Sequence, residues 1–92
     1  MRAGYIDQVE LFVRTAAPEG GAPAPRATYA VVFSTPVLLD EAADAALQLF
    51  RAERSQDFAD LLEITVRAGD IAFHPRPDPV PTAVRGTVTR VG

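Results

Sequence analysis

Two proline-rich segments divide this chain into pieces that fit only a small mixed domain. Residues 16–27 carry three prolines and two glycines, and residues 75–81 carry four prolines in seven positions. Each proline fixes φ and removes a backbone donor, so neither a helix nor a central strand runs through such a segment. Both are expected as loops. The first is long for a hairpin connection, and the second has the composition of an extended, polyproline-like connector. At 92 residues the chain has the length of one domain, taken here as 1–92.

The stretches between the loops carry two different periods. In residues 5–14, one parity holds Tyr5, Asp7, Val9, Leu11 and Val13, and the other holds Ile6, Gln8, Glu10, Phe12 and Arg14. This alternation predicts a half-buried strand with the odd residues facing the core. Residues 28–34 predict a second strand, with Tyr29, Val31 and Phe33 on one face. Ala30 and Val32 make the other face apolar too, which suits an interior position. Residues 40–53 predict the main helix. Asp40 is the expected N-cap, Asp40, Glu41 and Asp44 lie toward its positive end, and Arg51 and Arg54 lie toward its negative end. Thr35 followed by Pro36 is an alternative start. The helical wheel sets Leu39, Ala42, Ala46, Leu49 and Phe50 against a polar face of Asp40, Asp44, Gln48 and Arg51. Leu47 falls toward the polar side.

Beyond the helix, Ser55 is expected to cap a short turn up to Asp60. Residues 61–67 then alternate again, Ala68-Gly69-Asp70 make a tight turn, and Ile71 to His74 return as a short strand. The last strand is expected over 82–91, where Gly86 signals a bulge or a close backbone approach. The order β-β-α-β-β-β implies an α+β fold, a mostly antiparallel sheet of about five strands with one helix on one face. One helix, about 10 Å across, is too narrow to cover even one face of such a sheet alone. The second face is expected to hold Ile6, Phe12, Val32 and Val91 beside polar residues, more apolar than open solvent requires.

Composition removes much catalytic vocabulary. There are nine arginines but no lysine, one histidine, and no cysteine. Schiff-base lysines, thiol nucleophiles, disulfides and thiolate metal sites are therefore excluded. The absence of cysteine fits a cytoplasmic setting. No run approaches the ~18 apolar residues of a membrane helix, and the start of the chain lacks the apolar core of a signal peptide. The net charge of −3 argues against nucleic acid as the first expectation. That charge is uneven, because residues 1–63 hold five arginines and ten acids, whereas residues 64–92 hold four arginines and two acids.

The candidate binding residues follow from this asymmetry: Arg67, Arg76, Arg85 and Arg90, with His74. If the C-terminal strands pair, Arg67 and Arg85 share an outward face and the set makes a modest basic patch suited to phosphate or carboxylate. His74 with nearby acids such as Asp70, Asp78, Asp57 or Asp60 has the elements of a general base, but an ordinary strand-end histidine explains it as well. The acids at 40–44 fit a helix N-terminus better than a cation site. Neither a metal site nor a cofactor is expected. The leading expectation is a non-catalytic module that binds itself, as a homodimer, or another protein, with Ile6, Phe12, Val32 and Leu47 as interface candidates. Anion or nucleic-acid binding by the C-terminal arginines comes second, and an enzyme using His74 third.

Overall fold

The computed structural model describes residues 4–16, 26–75 and 84–92. The expected loop interiors, and with them Arg76 and Asp78, lie outside the described residues. Five strands form one sheet: β1 (Tyr5–Thr15), β2 (Arg26–Leu38), β3 (Leu61–Ala68), β4 (Ile71–Phe73) and β5 (Gly86–Arg90). Two helices stand between β2 and β3: α1 (Leu39–Glu53) and the short α2 (Ser55–Ala59). The sheet order is β4-β3-β1-β2-β5, and all four neighbouring pairs are antiparallel. The fold is α+β, with α1 packed on one face of the sheet.

β1 occupies the centre because both of its faces can be satisfied there. Val9, Leu11 and Val13 point into the core between sheet and helix, as the alternation predicts. They meet Tyr29, Val31 and Phe33 of β2, Ile64 and Val66 of β3, and Val88 of β5. The parity breaks at the start of β1. Between the pairs Gln8–Val32 and Ile6–Val37, β1 advances two residues while β2 advances five. Pro36 sits in this irregular stretch, where a missing ladder donor costs little. The shift turns Ile6 against the core and leaves Tyr5 72% exposed. Ile6 therefore leaves the open-face set in which the unbroken alternation placed it.

β2 runs directly into α1 with no residue between them. The helix starts one residue before Asp40, and neither Asp40 nor Thr35 caps it. Its N-cap is Leu38, which makes no side-chain cap hydrogen bond, and Thr35 and Pro36 stay in β2. Instead the backbone N–H of Leu39 donates to the carbonyl oxygen of Gly4 at 2.8 Å, so the chain start supplies the acceptor that a cap side chain would otherwise provide. Ser55 is likewise the first residue of α2, whose N-cap is Arg54.

The helical wheel also places Leu47 wrongly, since the side chain is fully buried at 0% exposure. The buried residues of α1 include Ala42, Ala43, Ala45, Ala46 and Leu47, an arc of roughly 200° at 100° per residue. Four alanines let the helix axis sink toward a twisted sheet, and the sheet then meets both flanks of the helix. A position at the margin of the wheel becomes core for that reason.

The β3–β4 hairpin has a two-residue turn, with Ala68 paired to Ile71. Gly69 has φ of 62° and Asp70 a negative φ, the pattern of a type II′ turn. Gly86 is a close backbone approach. A Cβ there would overlap the Val32 carbonyl oxygen and lie 3.0 Å from Phe33 Cα. Among the described residues no helix is long and apolar enough to cross a membrane.

Candidate functional site

The topology disperses the arginines that sequence order groups together. β3 pairs with β1 and β4, whereas β5 pairs with β2. Arg67 in β3 and Arg85 beside β5 are thus three strand positions apart, about 14 Å across the sheet. Arg67 is exposed, and its Nε donates to the carbonyl oxygen of Gly69. Arg85 lies at the irregular end of β2, lining a cleft of about 440 Å³ with Ser34, Thr35, Pro36 and Val84. Arg90 pairs in register with Tyr29 and belongs to the opposite end of β5. Among the described residues Arg67, Arg85 and Arg90 are not gathered into one patch, because β3 and β5 are not neighbours in the sheet.

His74 follows β4 on the side of Thr65. Its Nδ1 is 3.4 Å from the Thr65 hydroxyl. Asp57 and Asp60 are engaged elsewhere, the first by Tyr29 and the second by Gln56 Nε2 at 3.2 Å. Among the described residues no group of three His, Asp or Glu side chains could hold a metal ion.

Two places remain where side chains converge. The first is the sheet face opposite α1. Register sets its rows: Arg67, Glu10, Ala30 and Thr89 in one, Thr65, Phe12 and Thr28 in the next, and Glu63, Arg14 and Arg26 in the third. Gln8 and Val32 lie on the other side of the Glu10 row. Phe12 stands mid-face at 38% exposure, beside a depression of about 240 Å³ whose lining includes Arg14, Thr28, Glu63 and Thr65. Val32 is 45% exposed. Arg14 and Glu63 form an ion pair at 3.4 Å, and both side chains are substantially exposed. The Arg14 Nε is shielded from water, yet it finds no acceptor among the described residues.

The second place is the end of the sheet where β1 finishes and β2 begins, on the helix side. Tyr29 is 2% exposed, and its hydroxyl donates to Asp57 Oδ2 at 2.8 Å. Its ring meets Phe50 edge-on at 5.0 Å, and Phe50 in turn meets Phe58 at 6.5 Å. The Arg54 guanidinium lies over the Tyr29 ring, 5.4 Å from its centroid. A cleft of about 140 Å³ opens beside this ring, lined by residues that include Thr15, Arg26, Asp57 and Arg90. Burial raises the Tyr29 pKa above the usual tyrosine value, and the hydrogen bond and charge of Asp57 add to that. Arg90 and Arg54 act in the opposite direction.

The alternation of β2 places Tyr29 on the core face, but nothing local brings Arg54 and Asp57 to it. They arrive because α1 crosses the sheet and ends over this corner. No protein-family model matches the chain, and neither a curated protein nor a solved structure matches it.

Proposed function

We propose that this domain is a self-associating module, in which a second copy covers the open sheet face around Phe12. The observation that carries this reading is the symmetry of that face. A half-turn about an axis lying across the strands along the Phe12 row exchanges the position of Glu10 with that of Arg14, and of Arg67 with that of Glu63. A second copy placed by this rotation sets acids against arginines and Phe12 against its own counterpart. Such an interface is isologous and closes at two copies. The apolar centre is Phe12, with Ala30 and Val32 near it and a charged rim outside, the usual anatomy of a protein–protein contact.

The test is solution mass by light scattering over a concentration series, with charge-reversed variants. Wild type should run as a dimer. Glu10→Arg alone sets arginine against Arg14 of the second copy, and Arg14→Glu alone sets glutamate against Glu10, so each variant should be monomeric. Mixed in equal amounts, the two variants have complementary faces and should restore the dimer mass. A wild type that stays monomeric at millimolar concentration refutes self-association. A dimer that ignores both reversals refutes this face as its seat.

A further inference from the structure

We infer that the Tyr29 corner is a binding site for a phosphate monoester, held by Arg54 and Arg90 with Arg26 at the rim. Tyr29, Asp57 and Arg90 lie on the helix side of the sheet, so the site does not need a second copy; of its charged residues only Arg26 also borders the open face. Arg26 and Arg90 line one cleft, Arg54 lies over the Tyr29 ring that forms part of its wall, and among the described residues none of the three makes an ion pair. Unpaired guanidinium groups gathered around a concavity are a common preparation for an oxyanion, because each offers a rigid fork of donors. The Arg54 plane is braced by the Tyr29 ring, which limits the rotamer entropy lost on binding. Arg90 is held near the corner, its Nε donating to the Gly92 carbonyl oxygen at 3.2 Å, which leaves its terminal nitrogens as donors. Thr15 adds a hydroxyl to the lining.

Asp57 explains the pattern. Its carboxylate accepts the hydrogen bond from the Tyr29 hydroxyl, and among the described residues it is the one acid lining the cleft. It stands where an anion would stand, in the field of the same arginines. Among the described residues, Arg26 and Arg90 in the lining and Arg54 on the Tyr29 ring outnumber the one lining acid, Asp57, by about two charges, which suits the ~2 negative charges of a phosphate monoester. A diester backbone carries one charge per phosphate and would want a continuous basic track. Among the described residues Arg67 and Arg85 lie in other parts of the molecule and make no such track with this corner. The volume of about 140 Å³ admits a phosphoryl group and little more, so the rest of the ligand would project outward.

The experiment follows arginine Nε–H and backbone signals by nitrogen-15 NMR, titrating the whole chain at constant ionic strength. Probes are inorganic phosphate, adenosine monophosphate, and a short oligonucleotide without terminal phosphate. Phosphate and the monophosphate should give saturable shifts at Arg54, Arg90 and Tyr29, with dissociation constants of about 1 mM or tighter. Arg54→Gln with Arg90→Gln should weaken binding at least ~10-fold, while Arg67→Gln should not change it. Asp57→Asn keeps an acceptor for the Tyr29 hydroxyl but removes the competing charge, so it should tighten binding severalfold. A purely structural Asp57 does not predict that gain. Shifts no larger than those from chloride, unchanged affinity in the arginine variant, or weaker binding by Asp57→Asn would each overturn the site. Preference for the oligonucleotide over the monophosphate would overturn the monoester assignment.

Discussion

Tyr29 shows how one side chain joins packing to electrostatics. Its ring is core, closing the end of the cluster that Phe50 and Phe58 continue. Its hydroxyl reaches the rim and bonds Asp57. Tyr29→Phe keeps the ring and removes the hydrogen bond, so it should cost about 1 kcal/mol at neutral pH by urea denaturation. The alkaline limb separates this role from simple packing. Below about pH 10 the folded and unfolded chains both hold the Tyr29 proton, and the contribution is constant. Above that, the unfolded chain ionises first because the folded-state pKa is raised. Stability therefore falls as pH climbs from about 10 toward the folded value. The part of the wild-type decline due to Tyr29 should disappear in Tyr29→Phe. Equal alkaline slopes in the two proteins would remove that linkage.

At the scale of the element, α1 and β1 mark what sequence pattern reads well and where it stops. The odd face of β1 from Val9 to Val13 and the extent of α1 were legible, because both follow from local periods that burial then enforces. Strand order was not legible, since β1 pairs with β3 across the whole helical segment and no local signal marks that partner. The arginine patch failed for the same reason: it assumed that strands close in sequence are close in the sheet. Leu47 and Ile6 failed differently. A wheel assumes a fixed apolar arc and alternation assumes unbroken register, whereas a sheet meeting both flanks of an alanine-rich helix widens the arc, and the irregularity opposite Pro36 shifts the phase. At the Tyr29 corner Tyr29 was legible as a core residue and Arg90 as a candidate binding residue, but nothing linked Arg54 and Asp57 to them, because those two come from the far end of α1 and from α2. The helix makes a direct prediction. Leu47→Ala should destabilise the protein by about 2–5 kcal/mol, while Leu62→Ala, at a residue exposed on β3, should stay within about 0.5 kcal/mol. Thermal denaturation of the pair decides it, and a silent Leu47→Ala would mean that the helix does not seat as described.

For the whole molecule, the two faces of the sheet have unequal fates. One is sealed by α1 and α2, and the other awaits a second copy under the reading proposed above. Linkage gives that reading a thermodynamic signature. The midpoint of thermal unfolding should rise with protein concentration in wild type and stay constant in Phe12→Glu, as scanning calorimetry over a hundredfold dilution would register. A concentration-independent midpoint in both proteins would count against association. The margins of the sheet bear on what kind of assembly is open to the chain. β4 offers three residues to any newcomer, and the outer edge of β5 has the Val88 N–H engaged by Glu53 Oε1 at 3.4 Å. Exposed ladder groups are what let one sheet recruit the next into a fibre. With one border cut short and the other partly covered by a carboxylate from the helix, growth along the sheet has little to start from. Under the proposed reading, contact between copies is thereby directed to the broad face, where an isologous pair ends in a finite particle.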